Sequence, residues 1–229
     1  MEREQLDRGP WIQKRYAGKY YPLDPRPEEI QMDDIAHCLA NLCRFTGDTR
    51  EFYSVAQHCW LMSFAVPAQF ALLALMHDSA EAYIGDISRP LKRTMRIQYP
   101  DGELVTFKEL ERRTLQVIGV AIEMPDLFQF ASDNTYGAML RKVIDDADML
   151  MLATEARDVL ACIHDDWRVK ESNGFRVLDF PIKPVPPHIA EDLFKSRYMQ
   201  LRPEFVVEPA QHAILKGSVS RGDQSFPVE

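Results

Sequence analysis

In LALMHDSAEAYIGDISRPLK, residues 73–92, an apolar run that begins at Ala71 and ends at Met76 turns at once to His77 and Asp78. Glu81, Asp86 and Lys92 follow within the same stretch. Such side chains are costly to bury, and they persist in a greasy segment when they are paired or hold a metal. Two other segments offer groups of the same kind: His58 in YSVAQHCWLMS and Asp148 in DDADMLML. Two imidazoles and two carboxylates make a mixed nitrogen and oxygen set suited to Mn²⁺, Fe²⁺, Co²⁺ or Zn²⁺, with Mg²⁺ left open. Residues 77 and 78 lie about 100° apart around a helix, so both can reach an ion at one edge. Glu81, four residues after His77 and three after Asp78, shares their face.

These groups need helices to hold them, and the pattern supplies several. Pro27-Glu28-Glu29 reads as a helix start, followed by a stripe of Ile35, Ala36, Leu39 and Leu42. Ser54 is a candidate N-cap for a helix carrying His58 to about Ala65. Pro67 opens the next helix, which carries His77, Asp78 and Glu81 to about Ile84, with Gly85 as its stop. Residues 86–102 read as an irregular loop, and a charged helix spans about 104–123. The longest periodic segment, about 137–162, places Leu140, Val143, Ile144, Ala147, Leu150 and Met151 on one side, and Asp148 shares that side. Residues 174–187 are extended and proline-punctuated, and a last helix spans about 187–201. Upstream, residues 10–27 suggest short extended pieces with a turn at Ala17-Gly18, a small hairpin. The expected fold is therefore mainly α-helical, one helical domain over 1–204 with a polar tail over 205–229.

Composition narrows the class. A chain of 229 residues with 46% hydrophobic and 27% charged residues can bury a good core. The four cysteines form no CxxC pair and read as buried thiols of a reducing compartment. No apolar run approaches the roughly 20 residues that span a bilayer, and the charged N-terminus lacks the look of an export signal, so a cytoplasmic protein is expected. A net charge of −8 argues against a nucleic-acid polymer as partner, yet one basic cluster would suffice for a small anion.

The order His…His-Asp…Asp resembles the HD-domain metal-dependent phosphohydrolases. HDSAEAYIGDISRPLK is similar to the HDxxExxxGDxxxPxK segment of bacterial five-prime deoxynucleotidases in that superfamily, and DADML to the segment that supplies its last Asp. CRFTGDTREFYSVAQH also resembles the first-ligand region of phage and prophage relatives, including phage deoxyadenosine triphosphate hydrolases. The resemblance covers about residues 10–165. It implies an HD-type helical bundle with His58, His77, Asp78 and Asp148 as metal ligands and Glu81 in acid–base work. Asp86 matches a second acid of the family, with a loop cap as the alternative reading. Arg44 stands at the family's phosphate-binding Arg, and Phe45 replaces its Trp at the nucleoside contact. Lys92 matches the Pro-x-Lys lysine, a point charge for phosphate, whose bland alternative is a solvated surface residue. A homo-oligomer is a further implication of the resemblance.

Decoys accompany these residues. Asp145 could lie close behind the ligands, whereas Asp146 should face solvent. His37 reads as structural, and His164, His188, Arg93 and Arg96 as surface groups. The function so implied is release of phosphate from deoxynucleoside 5′-monophosphates. Release of triphosphate from a deoxynucleoside triphosphate is the alternative, and extra cations such as Arg50 would favour it. A catalytically inactive nucleotide-binding protein and a structural metal site are the readings outside enzymology.

Overall fold

Helix α1 (Met32–Asn41) buries Ile35, Ala36, Leu39 and Ala40, the face that its apolar stripe predicts. The computed structural model describes residues 8–129, 134–164, 167 and 176–202, so the polar segment 205–229 lies outside it. The chain enters α1 later than the sequence suggests. Pro27–Glu29 makes a single 3-10 turn, and α1 starts only after an extended Gln31. Asp34, in the first turn of α1, is buried and accepts the backbone N–H groups of Tyr16 and Ala17. It thereby pins the predicted hairpin, in which β1 (Ile12–Gln13) pairs antiparallel with β2 (Lys19–Tyr20). Gly18 turns that hairpin at φ 82°, where a side chain would be strained.

Helix α2 (Val55–Met62) is capped as expected, with the Ser54 hydroxyl accepting the Gln57 N–H, and it ends three residues short of the predicted Ala65. The predicted helix through Ile84 is cut in two, α3 (Ala71–Met76) and α4 (Glu81–Ile84). Between them the N–H groups of Ser79, Glu81, Ala82 and Tyr83 reach carbonyls only three residues back. This tightening toward 3-10 geometry brings residues three apart into line, so Glu81 lies under Asp78 rather than between it and His77. Gly85 ends α4 with φ 81° and ψ 156°, a conformation that suits glycine alone.

Residues 86–102 are more ordered than the two prolines suggest. Pro90 sits in the first turn of α5 (Arg89–Thr94), where its missing N–H costs nothing. Strands β3 (Arg96–Gln98) and β4 (Leu104–Thr106) then form an antiparallel pair, which delays α6 (Phe107–Ala121) to a Thr106 cap. Helix α7 (Thr135–Asp158) is capped by the Asn134 side chain, and it ends four residues before Cys162. Helix α8 (Pro187–Leu201) has the predicted bounds and packs on α1, α2 and α3. The lead-in over 176–186 forms no strand. Arg157 donates to the carbonyls of Leu178 and Phe180, and the Gln57 amide bonds Lys183 and Val185.

One contiguous apolar core runs from Tyr20 in the hairpin to Tyr198 in α8 and draws on α1, α2, α3, α4, α6 and α7. The fold is thus mainly α-helical, with two small two-stranded sheets among the described residues. No described helix is long and apolar enough to cross a membrane.

Candidate metal centre

Three elements bring the predicted ligands together. His58 projects from the middle of α2, His77 and Asp78 from the tightened junction after α3, and Asp148 from α7. His58 Nε2 lies 3.5 Å from Asp148 Oδ1 and 3.8 Å from Asp78 Oδ2, and His77 Nε2 lies 3.1 Å from Asp78 Oδ2. Ligand atoms bonded at about 2.1 Å to one ion sit at this kind of mutual spacing.

The tautomers make the case stronger than the distances do. His77 Nδ1 lies 2.8 Å from the Ala74 carbonyl, which can only accept, so that nitrogen carries a proton and Nε2 is the atom that faces Asp78. His58 Nδ1 lies 2.6 Å from Glu155 Oε1 and donates to it. Its Nε2 is fully buried and has no hydrogen-bond partner. His58 Nε2 is thus a buried acceptor set toward carboxylate oxygens with no donor between, a place suited to a cation, and His77 Nε2 faces Asp78 beside it. The donor set fits a divalent ion on that ground. Imidazoles held by carbonyl or carboxylate acceptors on the far nitrogen are the usual companions of a metal.

Electrostatics tie His77 and Asp78 to each other as an ion pair, whose place a bound cation would take. Burial by itself would push the His77 imidazole down, but Asp78 more than reverses it, and the imidazole ends well above its ordinary range. Asp78 stays far below the usual carboxylate range despite burial, because His77, then His58 and Arg44, favour its anion. Cys59 lies beside His77, its Sγ 4.0 Å from Nδ1. Burial raises that thiol to about 11, and with His77 and Asp78 it makes a second group that could hold an ion. Of the four cysteines it alone is buried, while Cys38 and Cys43 are half-buried and Cys162 is exposed, against the expectation of four buried thiols.

Glu81 is buried, with Oε1 held 3.0 Å from Lys92 Nζ and Oε2 buried without a partner. Burial, reinforced by Asp78, raises its pKa well above the ordinary value, and Lys92 only partly opposes this. Asp86 is half-buried and also raised by burial; the fields of Arg44, Asp78 and Lys92 act on it, which sets it toward the centre. The loop-cap alternative finds no hydrogen bond to Asp86 among the described residues. Lys92 is not the solvated lysine of the bland reading. Glu111 on α6 also holds it, at 2.8 Å, and both carboxylates keep its proton on despite burial.

Arg44 is brought to the site, already engaged: one terminal nitrogen donates to Glu155 Oε2 at 3.0 Å and the other lies 3.8 Å from Asp78 Oδ2. Phe45 and Thr46 follow it in left-handed backbone, φ 55° and 53°, a strain that non-glycine residues adopt mostly at functional loops. The Phe45 ring does not stand open for a nucleoside; it meets Trp167 edge-on at 6.2 Å and lies under the Arg44 guanidinium.

Several sequence expectations resolve differently. Asp145 is exposed, not close behind the ligands, since its position on α7 turns it past the apolar face. Asp146 is exposed and pairs with Lys142, as expected. His37 is structural, bonded to Glu191 of α8 at 2.9 Å. His164, His188, Arg93 and Arg96 are exposed. Arg50 lines a shallow cavity with Ala156, Leu160 and Cys162, and none of the four ligands lines it.

Four residues escape the sequence reading: Glu155, Tyr53, Glu111 and Arg89. Glu155 lies seven residues after Asp148, two helical turns on the same face, a signal that was there to find. Arg89 begins α5, is 63% exposed, and places its guanidinium 3.7 Å from Asp148 Oδ2, beyond hydrogen-bonding reach.

No family model matches the chain. Among curated proteins it is 35% identical over 189 residues to the uncharacterised protein YfdR of Escherichia coli K12, which covers 82% of this chain and 94% of YfdR. It is also 30% identical over 146 residues to an uncharacterised protein of Rhodobacter capsulatus, which covers 60% of this chain and 66% of that protein. With nearly the whole of YfdR aligned at that identity, the chain belongs to the YfdR family.

Proposed function

We propose that the protein is a metal-dependent phosphohydrolase of nucleotides that releases inorganic phosphate from deoxynucleoside 5′-monophosphates. The carrying observation is the pair of imidazoles whose Nε2 atoms converge on Asp78 and Asp148, with His58 Nε2 buried and unpartnered. A divalent transition ion bound by His58, His77, Asp78 and Asp148 would polarise the phosphoryl group and acidify a water.

The chain's own residues then have separate tasks. Lys92 fixes Glu81 through Oε1 and leaves Oε2 available. A carboxyl held above its ordinary range by burial keeps a proton for the leaving 5′ oxygen as its bond to phosphorus breaks. The attacking water's oxygen joins phosphorus, keeps one proton as P–OH and passes the other to the Glu81 carboxylate, which restores the acid. Arg44, anchored by Glu155, presents its second nitrogen on the Asp78 side, where a charge-assisted contact to a phosphoryl oxygen can form. Asp86 stands as a second acid facing the same space.

One observation favours the triphosphate alternative. Arg89 is a cation at the Asp148 edge with most of its surface in water, the extra positive charge that a longer phosphate chain requires. Metal-loaded protein incubated with a deoxynucleotide panel and Mn²⁺ or Co²⁺ decides between them by product. Inorganic phosphate from monophosphates is expected. Free triphosphate from a triphosphate would move the assignment to the alternative. Loaded protein that binds nucleotides and turns over none of them would make it a binding protein.

A further inference from the structure

We infer that Glu155 is a positioning residue of the metal centre, one buried carboxylate that fixes the tautomer of His58 and holds Arg44 beside Asp78. The inference rests on the metal reading and adds to it a residue outside the ligand quartet.

Glu155 is wholly buried near the C-terminal end of α7. Its Oε1 accepts from Tyr53 Oη at 3.0 Å and from His58 Nδ1 at 2.6 Å, and its Oε2 accepts from Arg44 at 3.0 Å. A pair that served the core alone would need only Arg44. Here the other oxygen is spent on the imidazole whose opposite nitrogen faces the carboxylates.

The consequence follows from imidazole chemistry. While Nδ1–H points at Glu155, Nε2 carries the lone pair, and the hydrogen-bonded anion makes that nitrogen more basic. In the other tautomer Nε2–H would point at Asp148 and Asp78, and a proton would stand where His58 must offer a cation its lone pair. Glu155 thus decides which of the two tautomers His58 presents. Through Oε2 it also ties the anion-binding Arg44, and the strained Phe45-Thr46 turn after it, to the same rigid carboxylate.

The test separates this role from core packing. Nitrogen-15 NMR of metal-free wild-type protein should show His58 protonated at Nδ1; an Nε2–H tautomer overturns the inference. Calorimetric titration with Mn²⁺ follows on the double variant Arg44→Met, Glu155→Met. Removing both charges of a buried pair tends to spare the fold. Losing the Arg44 cation alone would favour a metal, so weaker binding reports on Glu155. The expected loss is about 10- to 100-fold in affinity, with Glu155→Gln several-fold weaker than wild type should the double variant fail to fold. Wild-type affinity in either folded variant overturns the inference while leaving the metal centre standing. A wild-type chain that takes up no Mn²⁺ overturns both.

Discussion

Two buried glutamates flank the candidate centre from different elements and carry opposite charge preferences. Glu155 on α7 is fully enclosed and yet held to about 2, because an arginine, an imidazole and a phenol all donate to it. Glu81, at the start of α4, has one oxygen on Lys92 and one on nothing, and it faces the Asp78 anion, so burial wins and its pKa rises. Depth is similar and outcome opposite. Burial sets the penalty for charge, and the count of donors decides whether that penalty is overcome. Under the proposed function the pair would divide the labour: a permanent anion suits a group that orients, and a protonated acid suits one that gives its proton away.

The largest test breaks the centre both glutamates surround. A His77→Ala, Asp148→Ala variant should hold no Mn²⁺ by elemental analysis and show no turnover; full occupancy would remove the ligand assignment. Next, the two glutamates should separate in stability. Glu155→Ala leaves Arg44 buried without its partner and should cost about 3–5 kcal/mol in urea unfolding. Glu81→Gln should stay within about 1 kcal/mol of wild type, since a neutral amide replaces a group that prefers to be neutral. In turnover the order inverts. Glu81→Gln should keep its metal and lose about 10² or more in kcat, and a change of only a few-fold would reduce Glu81 to a bystander.

The pH dependence of metal-free stability sharpens the contrast. The Glu155 pKa falls on folding, so its contribution is present above about 4.5, the ordinary glutamate value, and is lost as pH drops toward about 2. The Glu81 pKa rises on folding, so its contribution is present below about 4.5 and fades as pH climbs through the raised folded value. Thermal melts of wild type against Glu155→Gln should diverge with rising pH between those limits. Melts against Glu81→Gln should coincide below about 4.5 and separate above it, with wild type falling below the variant. The smallest effect concerns the exposed edge. Arg89→Ala should leave metal content and melting temperature unchanged and raise KM several-fold, more for triphosphates than for monophosphates. An unchanged KM for both would take Arg89 out of the anion site.

Much of the scaffold was readable from period and punctuation. The stripe of α1, the Ser54 cap of α2, the stop at Gly85 and the bounds of α8 are local events, written in residues within a few positions of one another. Where local signals compete, neighbours decide. Residues 86–102 look like loop because Pro90 and Pro100 dominate them, but one starts a helix and the other sits by a hairpin turn that needs a partner strand. The single helix expected over 67–84 breaks at 77–80, and nothing in its apolar run announces that.

The sequence by itself determined the inventory: four ligand-type side chains on three helical segments, a glutamate one turn from two of them, and an acidic chain with no basic track for a polymer. Side-chain type and helical spacing are chemical facts that need no fold. Only the tertiary structure decided the states of these groups. Which imidazole nitrogen holds the proton depends on Ala74 for His77, but for His58 on Glu155, 97 residues away. Whether Lys92 is solvated depends on Glu111, and whether Arg44 is free depends on a carboxylate 111 residues downstream. Protonation and pairing are set by distances of a few ångströms across packed helices, and no pattern along the chain encodes those distances.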